Sequence, residues 1–263
     1  MKVGFIGFGN MAYAMAGGMI KYGGFDPADL MVSARDMDKL KSRANGLKIA
    51  CTKDNRQVAA QSEILFLAVK PHFISQVIQE IADVLRPETT VVSVAAGISL
   101  AEMEECLGRP GKLIRALPNT PVLVGQGMTL YEANEQVTPA EEDAVVQLLE
   151  GFGKARRIDE ALFAGTGSMT GCSPAFLYML MEAMGDAAVR QGMSREAAYE
   201  LAAQTVKGSA EMVLETKLHP GQLKDMVTSP GGTTIEGVRV LERLGFRSAI
   251  MEAIIAAAEK TKK

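Results

Sequence analysis

The sequence has no tryptophan, two histidines, three cysteines and only 5% aromatic residues across its 263 positions. Each scarcity closes off a class of function. Cys51, Cys106 and Cys172 are odd in number and widely spaced, which excludes a disulfide framework and a cysteine-based zinc site and fits a reducing, cytoplasmic setting. His72 and His219 are too few for a histidine-rich metal centre, so no metal is expected. Long apolar runs are lacking too. The longest, AFLYMLM at 175–181, ends at Glu182, well short of the roughly 18 residues that span a membrane. A basic excess is also missing: 28 Lys and Arg stand against 31 Asp and Glu, scattered along the chain, for a net charge of −3. That leaves no footprint for a phosphate backbone, and no nucleic-acid partner is expected.

What is present is an ordinary globular composition, 48% hydrophobic and 22% charged. The length suits one large domain or two modest ones, at roughly 150 residues each. The first residues, MKVGFIGFGNMAYAMAGG, superficially resemble a secretory signal, but Gly4, Gly7 and Gly9 interrupt the apolar stretch and have a better explanation. KVGFI reads as a buried strand, followed by a helix over 10–21. DLMVSA, LKIA, EILFLAV, TTVVSVAA and GKLIRAL read as further strands, alternating with helices such as DMDKLKSRAN, ISQVIQEIADVL and SLAEMEECLG. Ser99 is the expected N-cap of the last of these. This alternation predicts a parallel, doubly wound sheet covered on both faces. GQGMTLYEA, PAEEDAVVQLLEGFG and KARRI continue the same rhythm to residue 158.

Beyond residue 159 no strand pattern is evident. Helices are expected over 174–191, over a long segment capped by Ser194, over HPGQLKDMV, over TTIEGVRVLERLG and over the C-terminal FRSAIMEAIIAAAEKTKK. The expected organisation is a Rossmann-type α/β domain, 1–158, followed by an all-helical domain, 159–263. The apolar Met- and Ala-rich faces within 175–215 exceed what one small domain can bury, which predicts pairing with a second copy.

GFGNMA at 7–12 follows a strand and opens a helix, matching the dinucleotide fingerprint in its G-x-G-x-x-A form. Gly7 makes the tight turn, Gly9 lets a pyrophosphate approach the backbone, and Ala12 allows close helix packing. Asn10 and Met11 open the helix, whose N–H groups and dipole favour the phosphates. The second strand ends in Ser33 and Arg35 rather than a lone carboxylate, which suits a 2′-phosphate; Asp36 is either a helix N-cap or a ribose ligand. NADPH is therefore the expected cofactor, with NADH the other candidate. Ala68, Val69, Lys70 and Pro71 end the fourth strand, where ligands bind in this architecture, and Lys70 is either a ligand-facing cation or a solvated lysine. Ala95, Ala96 and Gly97 leave room for a nicotinamide one strand on. Asn119, within PNTP, either bonds the carboxamide or orders a turn.

A second glycine loop lies far away, in VTSPGGTTIEG at 227–237. Ser229, Gly231, Gly232, Thr233 and Thr234 lead into a helix whose N-terminus favours an anion. Taken in order, GFGNMA, AVKP, SVAAG, PNTP, HPGQLKD and TSPGGTTIEGVRVLE resemble pyrroline-5-carboxylate reductases over essentially the whole chain. The resemblance implies NAD(P)H-dependent reduction of 1-pyrroline-5-carboxylate to L-proline, the last step of proline biosynthesis. It also implies a homodimer with active sites shared between subunits, and rings of dimers in many members. By the same resemblance Asn55 lies near the cofactor ribose, residues 229–234 hold the substrate carboxylate, and the Thr234 hydroxyl bonds the ring nitrogen. His219 is expected to order its turn rather than to act in catalysis.

The chain departs from the family pattern at Gly171-Cys172-Ser173-Pro174-Ala175-Phe176, where Gly-Ser-Gly-Pro-Ala-Tyr is common. Ser173 is expected at a tight helix entrance, Glu236 replaces a small residue, and Met226 stands where Asn is frequent. Two other functions remain compatible with these residues: reduction of a related cyclic imino acid, and non-catalytic nucleotide binding. A hydroxyacid dehydrogenase is disfavoured because the helix at 174–191 carries no lysine.

Overall fold

The computed structural model describes residues 1–261. In chain order the elements are β1 (Val3–Ile6), α1 (Asn10–Lys21), β2 (Leu30–Ser33), α2 (Met37–Leu47), β3 (Ala50–Thr52), α3 (Asn55–Gln61), β4 (Ile64–Leu67), α4 (Ile74–Ile81), β5 (Thr90–Ser93), α5 (Leu100–Leu107), β6 (Lys112–Leu117), β7 (Gly127–Ala133), α6 (Pro139–Glu150) and β8 (Gly153–Arg157). Helices follow without a further strand among the described residues: α7 (Glu160–Arg190), α8 (Arg195–Thr216), α9 (Pro220–Met226), α10 (Thr233–Arg243) and α11 (Phe246–Thr261).

The strands form one sheet in the order β3-β2-β1-β4-β5-β6-β7-β8. The four-residue strands β1 and β4 are apolar and buried throughout, as strands covered on both faces must be. One face packs Phe5, Met15, Met19, Phe66 and Phe152 together, with the Phe5 and Phe66 rings stacked 4.8 Å apart. The other packs Ile6, Leu65, Leu67, Ile74, Ile78 and Met103. Helix starts are set by side-chain caps: Asp36 accepts from Lys39 N, Asp54 from Arg56 N, and Ser99 and Thr138 each form a capping box with the glutamate three residues on. Asp36 is thus the N-cap of α2.

Three expectations need correction. The sheet is not wholly parallel, because β7 runs antiparallel to β6. Only a short 3-10 helix, Thr120–Val124, joins them. Such a link reverses the chain but is too short for a parallel crossover of at least about 10 residues. The third strand is Ala50–Thr52, not 47–50, because Lys48 ends α2 in the left-handed conformation at φ 59°. The first long helix begins at Glu160 rather than 174 and runs through Pro174. Ser173 is therefore inside a helix, not at its entrance. A proline inside a helix lacks the N–H that would bond the carbonyl four residues back. Here that carbonyl is Thr170 O, and it accepts from Asn119 Nδ2 at 3.0 Å.

The described residues divide into two compact units, Met1–Gly171 with Thr261, and Cys172–Lys260. The second is helical. Gly185 of α7 lets Tyr199 of α8 approach so closely that a Cβ there would lie 2.5 Å from the ring. Few of its apolar side chains are buried: Ala198 and Ala202 are, whereas Tyr178, Met179, Leu201, Leu214, Leu244 and Met251 stay exposed.

Candidate cofactor cavity and anion-binding loop

Strand order reverses between β1 and β4, and ligands bind at such a switch point outside the carboxyl ends of the strands. A cavity of about 520 Å³ lies there. Its lining brings together Gly7, Gly9, Arg35, Asn55, Ala68, Val69 and Lys70 from the residues singled out in the sequence. Gly7 has φ +88°, and a Cβ on it would sit 2.7 Å from Ala68 O. Its N–H donates to Ser33 O at 2.9 Å, so the turn is pinned to both β2 and β4. Gly9 is different: it is the N-cap of α1, extended, with nothing within 4 Å of a would-be Cβ. No side chain caps α1, so the N–H groups opening at Asn10 and Met11 remain available to an anion. That open cradle fits the pyrophosphate of a dinucleotide.

At the far end of the cavity the Arg35 guanidinium lies over the Phe73 ring, 4.2 Å from its centroid. Lys39 and Arg43, one and two turns along α2, add two more cations to the lining. Asp36 and Glu80 are the carboxylates of the lining, and Asp36 is committed to its cap. Ser33 is fully buried, and its hydroxyl donates to Asn55 Oδ1 at 2.7 Å. Asn55 Nδ2 in turn donates to Glu80 Oε2 at 3.0 Å. Ser33 therefore supports the cavity from behind instead of lining it.

Asn10, Met11, Pro71, Ala95, Ala96, Gly97 and Asn119 are not among the lining residues. The Asn119 amide is engaged at both ends, donating to Thr170 O and accepting from Met128 N at 2.9 Å. Lys39, Arg43, Phe73, Gln76 and Glu80 line the cavity without having been singled out. A signal existed for two of them: Lys39 and Arg43 recur at helical spacing after Arg35.

In the helical unit the second glycine loop turns at Gly231, φ +69°, and Gly232 caps α10. Gly232 N donates to Ser229 O at 3.1 Å, and a Cβ on Gly232 would lie 2.4 Å from Ser229 Oγ. No side chain caps α10, so its first N–H groups, beginning at Thr233 and Thr234, are also free for an anion. Ser229, Gly231, Thr233 and Thr234 are exposed. His219 caps α9 by accepting from Gly221 N through Nδ1, which is the turn-ordering role.

Residues 2–97 match a family model described as NADP oxidoreductase, coenzyme F420-dependent, and residues 160–263 match one for pyrroline-5-carboxylate reductase dimerisation. A pyrroline-5-carboxylate reductase of Escherichia coli (strain K12) is 46% identical, covering 100% of this chain and 97% of its own. The chain belongs to the pyrroline-5-carboxylate reductase family. Solved members share the fold closely. The reductase of Coxiella burnetii superposes with TM-score 0.92 at 36% identity, over 99% of this chain and 97% of its own. That of Plasmodium falciparum, with NADP bound, gives 0.89 at 32% identity, over 100% and 97%. The family is one of oxidoreductases, and the α/β unit followed by helices is its arrangement. Among the described residues no helix is long and apolar enough to cross a membrane.

Proposed function

We propose that this protein reduces 1-pyrroline-5-carboxylate to L-proline, the closing step of proline biosynthesis, in the cytoplasm. The observation that carries the reading is the pair of uncapped helix N-termini, α1 and α10, each preceded by a glycine loop. One suits a dinucleotide pyrophosphate, the other a carboxylate. NADPH supplies the hydride when bound. Gly7, Gly9 and the first turn of α1 hold its pyrophosphate, and Arg35 meets its 2′-phosphate. Asn55 stands beside the ribose, and Ala95–Gly97 leave space for the nicotinamide.

Residues 229–234 hold the substrate carboxylate through backbone N–H groups and hydroxyls. The ring nitrogen arrives protonated, so carbon 5 is electrophilic without a strong general acid. Its N–H donates to the Thr234 hydroxyl, which fixes the ring for hydride addition. The product is the secondary amine, and no further proton is required. The exposed apolar side chains of the helical unit fit a homodimer that shares its active sites, with a ring of dimers as a larger assembly.

The test follows NADPH and NADH oxidation by purified protein with 1-pyrroline-5-carboxylate and with its six-membered homologue. Fast NADPH oxidation with the five-membered ring is expected. Activity only with the larger ring would reassign the substrate, and no activity with either would overturn the reductase reading. Light scattering across protein concentrations measures the assembly; a monomer throughout would overturn the shared site.

A further inference from the structure

Arg43 sits on α2, outside the dinucleotide fingerprint, yet its side chain is spent on that fingerprint. Nη1 donates to Phe8 O at 2.9 Å, and Nη2 donates to Asn10 Oδ1 at 2.5 Å. The guanidinium carbon also stands 5.4 Å from the Tyr13 ring centroid, on α1. One fork thus spans the segment Phe8-Gly9-Asn10 from both sides of Gly9. Gly9 has little of its own to hold it: its carbonyl accepts from Tyr13 N at 3.0 Å as the first bond of α1, but it has no side chain, no side-chain cap bond and no neighbour within 4 Å of a would-be Cβ. Gly7, two residues earlier, is pinned by β2 and β4, but that pin ends where the anion cradle begins.

We propose that Arg43 is a positioning residue for the cofactor's pyrophosphate, acting by clamping the glycine loop. The clamp does three things. It fixes the carbonyl of Phe8 on a cation, so this acceptor is turned to the protein and not to the phosphates. It occupies the acceptor end of the Asn10 amide, and the end left over is Nδ2, a donor, which is the polarity an anion needs. It places a fixed positive charge beside the loop, through the bonds to Phe8 and Asn10. A planar fork with two donors can bridge two acceptors; an ammonium cannot do so in the same geometry. Both NADPH and NADH carry the pyrophosphate, so Arg43 serves them equally, whereas Arg35 separates them.

This inference rests on the nicotinamide-cofactor reading above. The experiment measures Kd for NADPH and NADH by cofactor fluorescence, with Tm recorded alongside. Arg43→Ala is expected to weaken both cofactors by a similar factor, roughly tenfold for a lost charge-assisted pair. Asn10→Ala, a milder change at an exposed side chain, should weaken both by less. Asn10→Ala added to Arg43→Ala should cost almost nothing more, because the partner is already gone. Arg43→Lys should recover only a minor part of the loss. Unchanged affinity in Arg43→Ala, a loss confined to NADPH, additive losses in the double variant, or full recovery by lysine would each overturn the clamp. Failure of the unaltered protein to bind either cofactor is a different result; it would overturn the oxidoreductase reading and the clamp with it.

Discussion

Asn119 Nδ2 donates to Thr170 O, the carbonyl that Pro174 leaves without a helical partner. Asn119 also accepts from Met128 N, so one buried amide joins the turn after β6, the strand β7 and the helix α7. Asn119→Ala should lower stability by about 1–3 kcal/mol, because two buried backbone groups lose their partner. Adding Pro174→Ala should return part of that loss, since residue 174 then donates to Thr170 O itself. Chemical denaturation of the two variants checks this. A double variant no better than Asn119→Ala would mean the Thr170 carbonyl is not the group at stake.

The two glycines of the first loop should fail differently. Gly7→Ala puts a side chain at φ +88° and 2.7 Å from Ala68 O, so the fold is strained by about 1–3 kcal/mol. Gly9→Ala meets no protein atom within 4 Å and should change stability by less than about 1 kcal/mol. It should weaken NADPH instead, because its methyl group points into the cradle. Tm and NADPH titration measured on both variants separate the two effects.

Arg35 lies over Phe73, and that platform holds an exposed guanidinium in place at the ribose end of the cavity. Arg35→Ala should raise Kd for NADPH by roughly 10- to 100-fold, from the loss of a charge-assisted pair to phosphate, and leave NADH nearly unchanged. Equal losses would place the 2′-phosphate elsewhere. Phe73→Leu should act in the same direction but more weakly.

Much of this was legible in the chain because it is local. The turn at Gly7, the open Gly9 and the start of α1 are consecutive residues, so their pattern carries the whole cradle. The caps at Ser99 and Ser194 follow the same logic, whereas Asp36 read equally as a cap or a ribose ligand until its bond to Lys39 N decided it. The polarity of β7 was not legible, because it depends on how tightly 118–126 folds and not on any residue within the strand. The start of α7 was missed for a related reason. Pro174 and its neighbouring glycines read as a helix entrance, and what sustains the helix through them is Asn119, distant in sequence. Phe73 and Glu80 reach the cavity from the segment that follows β4, whose own periodicity gives no hint of a ligand, whereas Arg43 follows Arg35 at helical spacing.

Burial, reinforced by the hydrogen bond from its hydroxyl to Glu142, pushes the Tyr131 phenol up to about 12. The folded protein then keeps this proton after the unfolded chain, near 10, has lost it. The stabilisation is fully present below about pH 10 and is lost as pH rises through 12. Tyr131→Phe removes the titrating group. The Tm gap between the parent and this variant should therefore shrink between pH 10 and 12. A constant gap would mean that Tyr131 is not protected.

Thr234 stands in the first turn of α10, exposed, beside backbone N–H groups that no side chain caps. Those N–H groups suffice for a carboxylate, so removing the hydroxyl should leave substrate anchoring largely intact. What is lost is the acceptor for the ring N–H, which aligns carbon 5 with the incoming hydride. Thr234→Ala should lower turnover by the equivalent of about 1–3 kcal/mol while NADPH affinity stays within twofold. Thr234→Ser keeps the hydroxyl and should recover most of the rate. Parallel losses in turnover and NADPH binding would show that the residue acts through the fold; recovery by serine with unchanged NADPH binding would place the hydroxyl at the ring nitrogen.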